Sequence, residues 1–168
     1  YGADTVRLYC LFVAPPEKEF SWSDKGIEGA NRFVHRLWRF VHENKEMLSP
    51  VAPCSATADD AKGVAAEIRQ KEHATIKKVR SDISGRFQFN TAIAAVMEMV
   101  NLLYVSREKL EDTPENRKVL SSAVSSVLTI LSPIIPHICE ELWQYLGHES
   151  LLAHSDWPEF WDRMMARQ

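Results

Sequence analysis

The chain has 168 residues, of which 45% are hydrophobic and 26% charged, and its net charge is −3. These values exclude disordered, collagen-like and low-complexity chains, and the negative charge excludes a uniformly basic nucleic-acid binder. Three widely spaced cysteines without a Cys-x-x-Cys pair disfavour a disulfide framework or a thiolate zinc site, and no apolar run approaches the roughly 18 residues that span a membrane.

The spacing of apolar residues predicts an all-α bundle of five or six helices. We place these helices at about residues 4–12, 24–46, 60–83, 91–107, 114–131 and 137–146. The expected N-caps are Asp4, Ser23 or Asp24, Asp59 or Asp60, Asn90, and Thr113 ahead of Pro114. Gly85 and Gly147 are expected to end the third and sixth helices, and breakers at 49–58 predict a flexible connection. The fourth helix is apolar nearly all round, which predicts a place at the centre of the bundle.

A basic stripe runs along one side of the second helix. At 100° per residue, four cations fall within about 60° of one another and opposite the apolar face. They are Lys25, Arg32, Arg36 and Arg39. Arginine forks suit phosphate, so the stripe is a candidate nucleic-acid surface. The alternative is an ordinary solvated face, because Glu28–Arg32 and Arg39–Glu43 have the spacing of helical ion pairs.

A second basic set lies in and after the third helix. It comprises Arg69, Lys71, Lys77, Lys78, Arg80 and Arg86. His73 shares one side of this helix with Lys77 and Arg80, and Arg86 stands beside Phe87 and Phe89. Basic residues next to aromatic ones suit RNA. The alternative is an exposed lysine-rich face with both phenylalanines in the core.

Two groups of polar residues allow chemical readings. Glu72 falls on the apolar side of the third helix and needs a partner, for which Glu98 and Asn101 are candidates. His137 and Glu140 have the spacing of metal ligands on a helix, but no second His/Glu pair accompanies them, so we expect no metal site. No nucleophile elbow and no phosphate-binding glycine loop occur, which predicts a chain without catalytic residues.

Four segments of the chain carry a recognisable pattern. They are Tyr1-Gly2-Ala3-Asp4-Thr5-Val6-Arg7-Leu8-Tyr9; Trp22-Ser23-Asp24-x-Gly26-Ile27-Glu28-Gly29-Ala30-x-Arg32-Phe33 with Arg36-x-Trp38-Arg39; His73-x-Thr75-Ile76-x-Lys78-Val79 with Phe89-Asn90-Thr91-Ala92; and Leu131-Ser132-Pro133-x-Ile135-Pro136-His137. Together these segments resemble the bacterial-type leucyl-tRNA synthetases, a family of class I aminoacyl-tRNA synthetases. The second segment is the most specific of the four.

The resemblance implies that the chain is a fragment, the helical anticodon-binding-type domain of such an enzyme. Residues 1–22 then correspond to a segment leading from the catalytic core, 23–147 to the bundle and 148–168 to a tail packed on it. The HIGH and KMSKS signatures of the catalytic core are absent. The resemblance therefore implies no catalytic residues and no cofactor in this chain, although the parent enzyme uses ATP and Mg²⁺ to attach leucine to tRNA.

The resemblance also implies the partners and the location. The partners would be tRNA(Leu) and the catalytic core of the same parent chain, without a membrane or DNA, in the cytoplasm. The tRNA body would be held through phosphates and shape rather than through base reading. The expected tRNA-binding residues are Arg32, Arg36, Arg39, Lys77, Lys78, Arg86, His73 and Asn90. The alternative is a rigid helical scaffold that docks on the catalytic core and has little RNA affinity of its own.

Overall fold

A computed structural model describes residues 1–13, 15, 17–48 and 61–165, and these residues form helices and no strand. The helices are α1 Ala3–Val13, α2 Asp24–Glu43, α3 Lys45–Leu48, α4 Val64–Arg86, α5 Phe89–Arg107, α6 Pro114–Leu131, α7 Pro136–Tyr145 and α8 Asp162–Met165, with a 3₁₀ turn at Leu152–His154. Six of the helices are ten residues or longer. The prediction of an all-α bundle is confirmed. The expected flexible connection at 49–58 lies outside the described residues.

The central element of the bundle is α5, as its apolar sequence predicts. It packs against α4, α1, α6 and α2, and Ile93, Val96 and Leu103 are almost fully buried. By length and composition alone this helix is apolar enough to cross a membrane. Because the core helix of a globular protein meets the same criterion, its position inside the bundle is sufficient to explain its composition.

The second helix ends earlier than its periodicity predicts. It stops at Glu43 instead of Glu46, and the four-residue α3 follows after Asn44. The Asn44 side chain donates to the Phe40 carbonyl at 2.8 Å and accepts from Arg107 on α5. An asparagine side chain that bonds the backbone in this way competes with the next helical turn. The contact between Asn44 and Arg107, 63 positions apart in the chain, therefore helps to determine where α2 ends.

The boundary between α4 and α5 also differs from the expectation. Phe87, and not Gly85, adopts the left-handed conformation with φ of 50°, and the amides of Phe87 and Gln88 both bond the Asp82 carbonyl. This pattern of two amides on one helix end closes α4 at Arg86. Gln88, and not Asn90, then precedes α5 as its N-cap residue.

The start of α4 is likewise later than expected. Asp59 and Asp60, the expected caps, lie outside the described residues, and the helix begins only at Val64, after Gly63 with φ of 59°. Glycine enters this left-handed conformation without the steric penalty of a side chain.

Asp4 links the first helix to the seventh instead of capping its own helix. Its carboxylate accepts from the Ile138 amide at 2.7 Å and lies 2.9 Å from His137 Nδ1. Arg7 donates from Nε to the Ile134 carbonyl at 2.9 Å. An aspartate at a helix N-terminus satisfies free amides and favours the helix dipole. These contacts fix α1 against the turn between α6 and α7.

The start of α2 is fixed against α1 as well. Ser23 caps α2 as predicted, accepting from the Gly26 amide at 3.3 Å, and its own amide donates to the Tyr9 hydroxyl at 2.7 Å. The Tyr9 ring lies so close to Gly26 that an added Cβ would stand 2.5 Å from ring atom Cε2. The glycine is required by this close approach.

Candidate nucleic-acid interface

The second helix separates its apolar and basic residues onto two faces. Ile27, Phe33 and Leu37 are buried against the bundle. Four cations are exposed on the other side, and we call them the α2 basic face: Lys25, Arg32, Arg36 and Arg39. The 3.6-residue period produces this separation because apolar residues recur every three or four positions and the cations occupy the positions between them.

The α2 basic face has no acidic partners within the described residues. None of the six ion pairs found there involves any of its four cations, and the expected helical pairs Glu28–Arg32 and Arg39–Glu43 do not form. Because four cations outnumber the nearby acids Glu28 and Glu43 and none of them is held in a contact ion pair, this face can attract polyanions.

Arg36 is the cation of the α2 basic face whose side chain contacts residues of α5. Its Nη1 donates to Asn101 Oδ1 at 2.7 Å, and its guanidinium carbon lies 4.7 Å from the centre of the Tyr104 ring. The Tyr104 hydroxyl donates to the Arg36 carbonyl at 2.6 Å. Burial raises the pKa of Tyr104, and the charge of Glu43 adds to the rise, so the hydroxyl keeps its proton at neutral pH. Asn101 therefore pairs with Arg36 and not with Glu72.

The cations of α4, the third predicted helix, differ from those of the α2 basic face because most of them lie near acidic side chains. We call them the α4 basic set: Arg69, Lys71, Lys77, Lys78, Arg80 and Arg86. Four of the six lie near an acidic side chain, in the pairs Lys77–Asp162 at 2.9 Å, Lys71–Glu98 and Lys78–Asp82 at 3.1 Å, and Arg69–Glu72 at 3.5 Å. Arg80 and Arg86 are exposed and take part in none of the ion pairs among the described residues. The set is largely neutralised.

His73 is buried, whereas Lys77 and Arg80 are exposed. It is 4% exposed, and its Nδ1 accepts from the Trp161 amide at 3.1 Å. The imidazole stacks on the Trp161 indole with the ring centres 5.5 Å apart. His73 and Lys77 both contact the C-terminal segment, as their shared side of the helix predicts, and this segment buries His73.

Arg86 and Asn90 lie near each other at the turn between α4 and α5 but differ in exposure. Arg86 is exposed, and the neighbouring Phe87 is 64% exposed, so the alternative reading is wrong for Phe87 but right for Phe89, which packs against the core. Asn90 is partly buried in the first turn of α5, with its Oδ1 atom away from solvent. Arg86 and Phe87 together form a cation and an aromatic surface suited to a nucleotide, whereas Asn90 faces the protein.

Glu72 belongs to a buried polar cluster that sequence reasoning assigned to the wrong partners. Its Oε1 accepts from Ser122 and Ser126 of α6 at 2.8 Å each, and Arg69 lies beside Oε2. Burial raises the pKa of Glu72, and the two serine bonds and the Arg69 charge oppose that rise. Glu98 instead pairs with Lys71 at the surface. The four-residue spacing of Ser122 and Ser126 is the sequence signal that places both on one face of α6.

In the structure, Glu140 bonds two backbone amides and His137 lies beside a carboxylate. Glu140 accepts from the amides of Leu152 and Ala153 at 2.9 and 2.8 Å, and His137 faces Asp4. Within the described residues, no group of three or more His, Cys, Asp or Glu side chains is arranged to hold a metal ion.

Comparison with known proteins identifies the family. A family model described as the anticodon-binding domain of tRNA ligase matches residues 65–166. The chain is 60% identical over 161 residues to a leucine–tRNA ligase of Oleidesulfovibrio alaskensis, covering 95% of this chain and 19% of the relative. It is 57% identical over 168 residues to a leucine–tRNA ligase of Nitratidesulfovibrio vulgaris, covering 99% and 20%. The chain thus spans about a fifth of the length of these relatives.

A solved structure shares the fold. The crystal structure of the ternary complex of Agrobacterium radiobacter K84 agnB2 LeuRS, tRNA and LeuAMS aligns with a TM-score of 0.85 and 32% sequence identity. The alignment covers 96% of this chain and 20% of that chain.

Proposed function

We propose that this chain, which belongs to the family of anticodon-binding domains of tRNA ligases, binds tRNA through the α2 basic face. The observation that carries the proposal is the exposure of Lys25, Arg32, Arg36 and Arg39 on one side of α2 without an acidic partner among the described residues. Guanidinium groups bind phosphate oxygens in a forked geometry. A phosphate contact fixes the position of an RNA without reading its sequence.

We further propose that the RNA is a leucine tRNA and that the chain serves a cytoplasmic leucine–tRNA ligase. The similarity to leucine–tRNA ligases at 60% and 57% identity supports this substrate. In that setting, a catalytic core outside this chain would use ATP and Mg²⁺ to attach leucine, and the α2 basic face would orient the tRNA body. Within the α4 basic set, Arg86 with the exposed Phe87 is the candidate for a further RNA contact.

The test is a titration of the chain with leucine tRNA at low salt, with Arg32→Ala/Arg36→Ala as the variant. A hydrogen bond to a charged group contributes roughly 1.5–3 kcal/mol, so loss of both contacts should weaken binding by at least about tenfold. A non-cognate tRNA should bind about equally, because phosphates and shape are common to both.

The matched control removes two positive charges elsewhere. Lys109 lies in the turn after α5 and Lys118 on α6, both are exposed, and Lys109→Ala/Lys118→Ala should leave binding within about twofold. If this control weakens binding as much as the arginine variant does, net charge and not the α2 basic face is responsible, and the assignment fails.

A second candidate function, docking on the remainder of a parent protein, is favoured by the apolar surface of the first 22 residues. Six large apolar side chains there are at least 36% exposed: Tyr1, Val6, Phe12, Val13, Phe20 and Trp22. This many exposed apolar residues in one stretch of sequence favour a protein contact. We expect the chain to self-associate through them in sedimentation velocity runs, and Val6→Ser/Val13→Ser to reduce this more than Val105→Ser, since Val105 is an exposed valine of α5.

A further inference from the structure

Asn101 and Tyr104 of α5 contact one cation of the α2 basic face, Arg36, directly, whereas Arg39 affects Tyr104 only through its charge. Asn101 accepts from Arg36 Nη1, the Tyr104 ring lies beneath the guanidinium, and the Tyr104 hydroxyl bonds the Arg36 carbonyl. Among the described residues, no hydrogen bond or ring contact is found for the side chains of Arg32 and Arg39. The three arginines therefore differ in the contacts that hold their side chains, even though all three are exposed.

We propose that Asn101 and Tyr104 are positioning residues that hold the Arg36 guanidinium in place for one RNA phosphate; this inference rests on the proposed function. An arginine side chain carries five N–H donors. Asn101 engages the Nη1 end, and no hydrogen bond is found from the Nε and Nη2 edge among the described residues, although Arg36 also interacts with the Tyr104 hydroxyl and opposes the rise of its pKa. That edge is the one that presents two parallel donors to a phosphate.

The physical advantage of this arrangement is pre-organisation. Fixing a long side chain on binding costs about 0.5–1.5 kcal/mol, and this entropy has already been lost for an arginine that is stacked and hydrogen-bonded in the free protein. Stacking on the tyrosine ring adds a cation–π attraction without removing the guanidinium from water. Arg36 should therefore act as a contact that depends on geometry.

The other cations of the face should act by charge alone. An arginine without fixed neighbours gains no pre-organisation, and a lysine in its place supplies the same charge. We therefore expect Arg32→Lys to retain tRNA binding within about twofold. Arg36→Lys should lose most of what Arg36→Ala loses, about fivefold, because an ammonium group cannot lie flat on Tyr104 with two donors aimed at one phosphate.

The decisive experiment is a double-mutant cycle in leucine tRNA binding, using Asn101→Ala, Arg36→Ala and the double variant. Asn101→Ala should weaken binding by about threefold in the wild type and by less than 1.5-fold when Arg36 is already alanine. Asn101→Ala should also leave the slope of log K against log salt unchanged, whereas Arg36→Ala reduces the slope by roughly 1. Asn116→Ala is the control, since Asn116 is a surface amide of α6 that bonds the Glu111 carbonyl.

Tyr104→Phe separates the ring from the hydroxyl of Tyr104, and a smaller side chain is avoided because the ring also packs edge-on against Phe40. The phenylalanine keeps the ring beneath Arg36, so binding should stay within about twofold of the wild type. A threefold loss for Asn101→Ala that persists without Arg36 would overturn the positioning role. If Arg36→Ala itself leaves binding unchanged, the proposed function fails at this residue, and the inference fails with it.

Discussion

The α2 basic face and the α4 basic set contain similar residues but differ in what surrounds them. Arg32 and Arg39 on α2 are exposed and have no acidic partner among the described residues, whereas Lys77 is paired with Asp162 and Lys71 with Glu98. Glu98 of α5 and Asp162 of α8 come from distant parts of the chain, whereas Glu72 and Asp82 lie on α4 itself. The number of cations along a helix therefore does not locate an RNA surface. The acidic side chains that lie next to those cations in the folded protein also determine whether the surface attracts RNA.

The difference has an electrostatic consequence. A surface ion pair stabilises a protein by only about 0–1 kcal/mol, so the pairs on α4 contribute little to folding. They nevertheless cancel the field that would attract a polyanion. The Arg69–Glu72 pair differs from these surface pairs because both side chains are buried inside the bundle. We expect this pair to contribute to the stability of the fold.

The largest effect is expected for Glu72→Ala. The variant removes the acceptor of Ser122 and Ser126 and leaves Arg69, 3% exposed, without this carboxylate. Breaking a buried pair by removing one partner costs roughly 3–5 kcal/mol. Urea unfolding measures the loss. A change below about 1 kcal/mol would mean that Arg69 is not held by this cluster, and the contrast between buried and surface pairs on α4 would disappear.

The pH dependence of stability gives the next largest effect. Since burial raises the pKa of Glu72 above its ordinary value of 4.5, the folded protein holds this proton more tightly than the unfolded chain. The contribution is fully present below pH 4.5 and is lost as the pH rises through the folded-state pKa. Glu72→Gln, which cannot titrate, should remove this decline in unfolding experiments between pH 4 and 8. Parallel curves for the two proteins would contradict the assignment.

A smaller effect is expected when a surface pair of α4 is broken. Asp162→Asn frees Lys77 from its partner at 2.9 Å while leaving the Trp161 contact with His73 in place. Stability should change by less than about 1 kcal/mol, and tRNA binding at low salt should rise by no more than about twofold. A fivefold gain in tRNA affinity would show that Asp162 blocks a strong RNA site on α4, and α4 would then contribute to binding as much as α2 does.

The features that the sequence predicts are those that arise within one helix. The six long helices follow from the spacing of apolar residues, and the exposure of Arg32, Arg36 and Arg39 follows from 100° per residue applied to α2. The cap at Ser23 is equally local, because its oxygen reaches an amide three residues away. Such features depend on neighbours within one or two turns.

The features that the sequence does not reveal depend on distant parts of the chain. Asp162 reaches Lys77 across 85 positions, and Asn101 reaches Arg36 across 65. Trp161 covers His73 from an irregular segment whose course no periodicity fixes. Asp4 satisfies α7 instead of α1 for the same reason, since only the packed bundle brings the two helices together. Periodicity gives the face on which a side chain lies, but not what lies opposite it.

The salt dependence of leucine tRNA binding tests whether the α2 basic face, and not the paired lysines of α4, carries the main RNA contact. Two variants with the same charge change are compared, Arg32→Ala/Arg36→Ala on α2 and Lys77→Ala/Lys78→Ala on α4. Each lost phosphate contact should reduce the slope of log K against log salt by roughly 1, so we expect a reduction of about 2 for α2 and less than about 0.5 for α4. An unchanged slope for the α2 variant together with a reduced slope for the α4 variant would contradict the account.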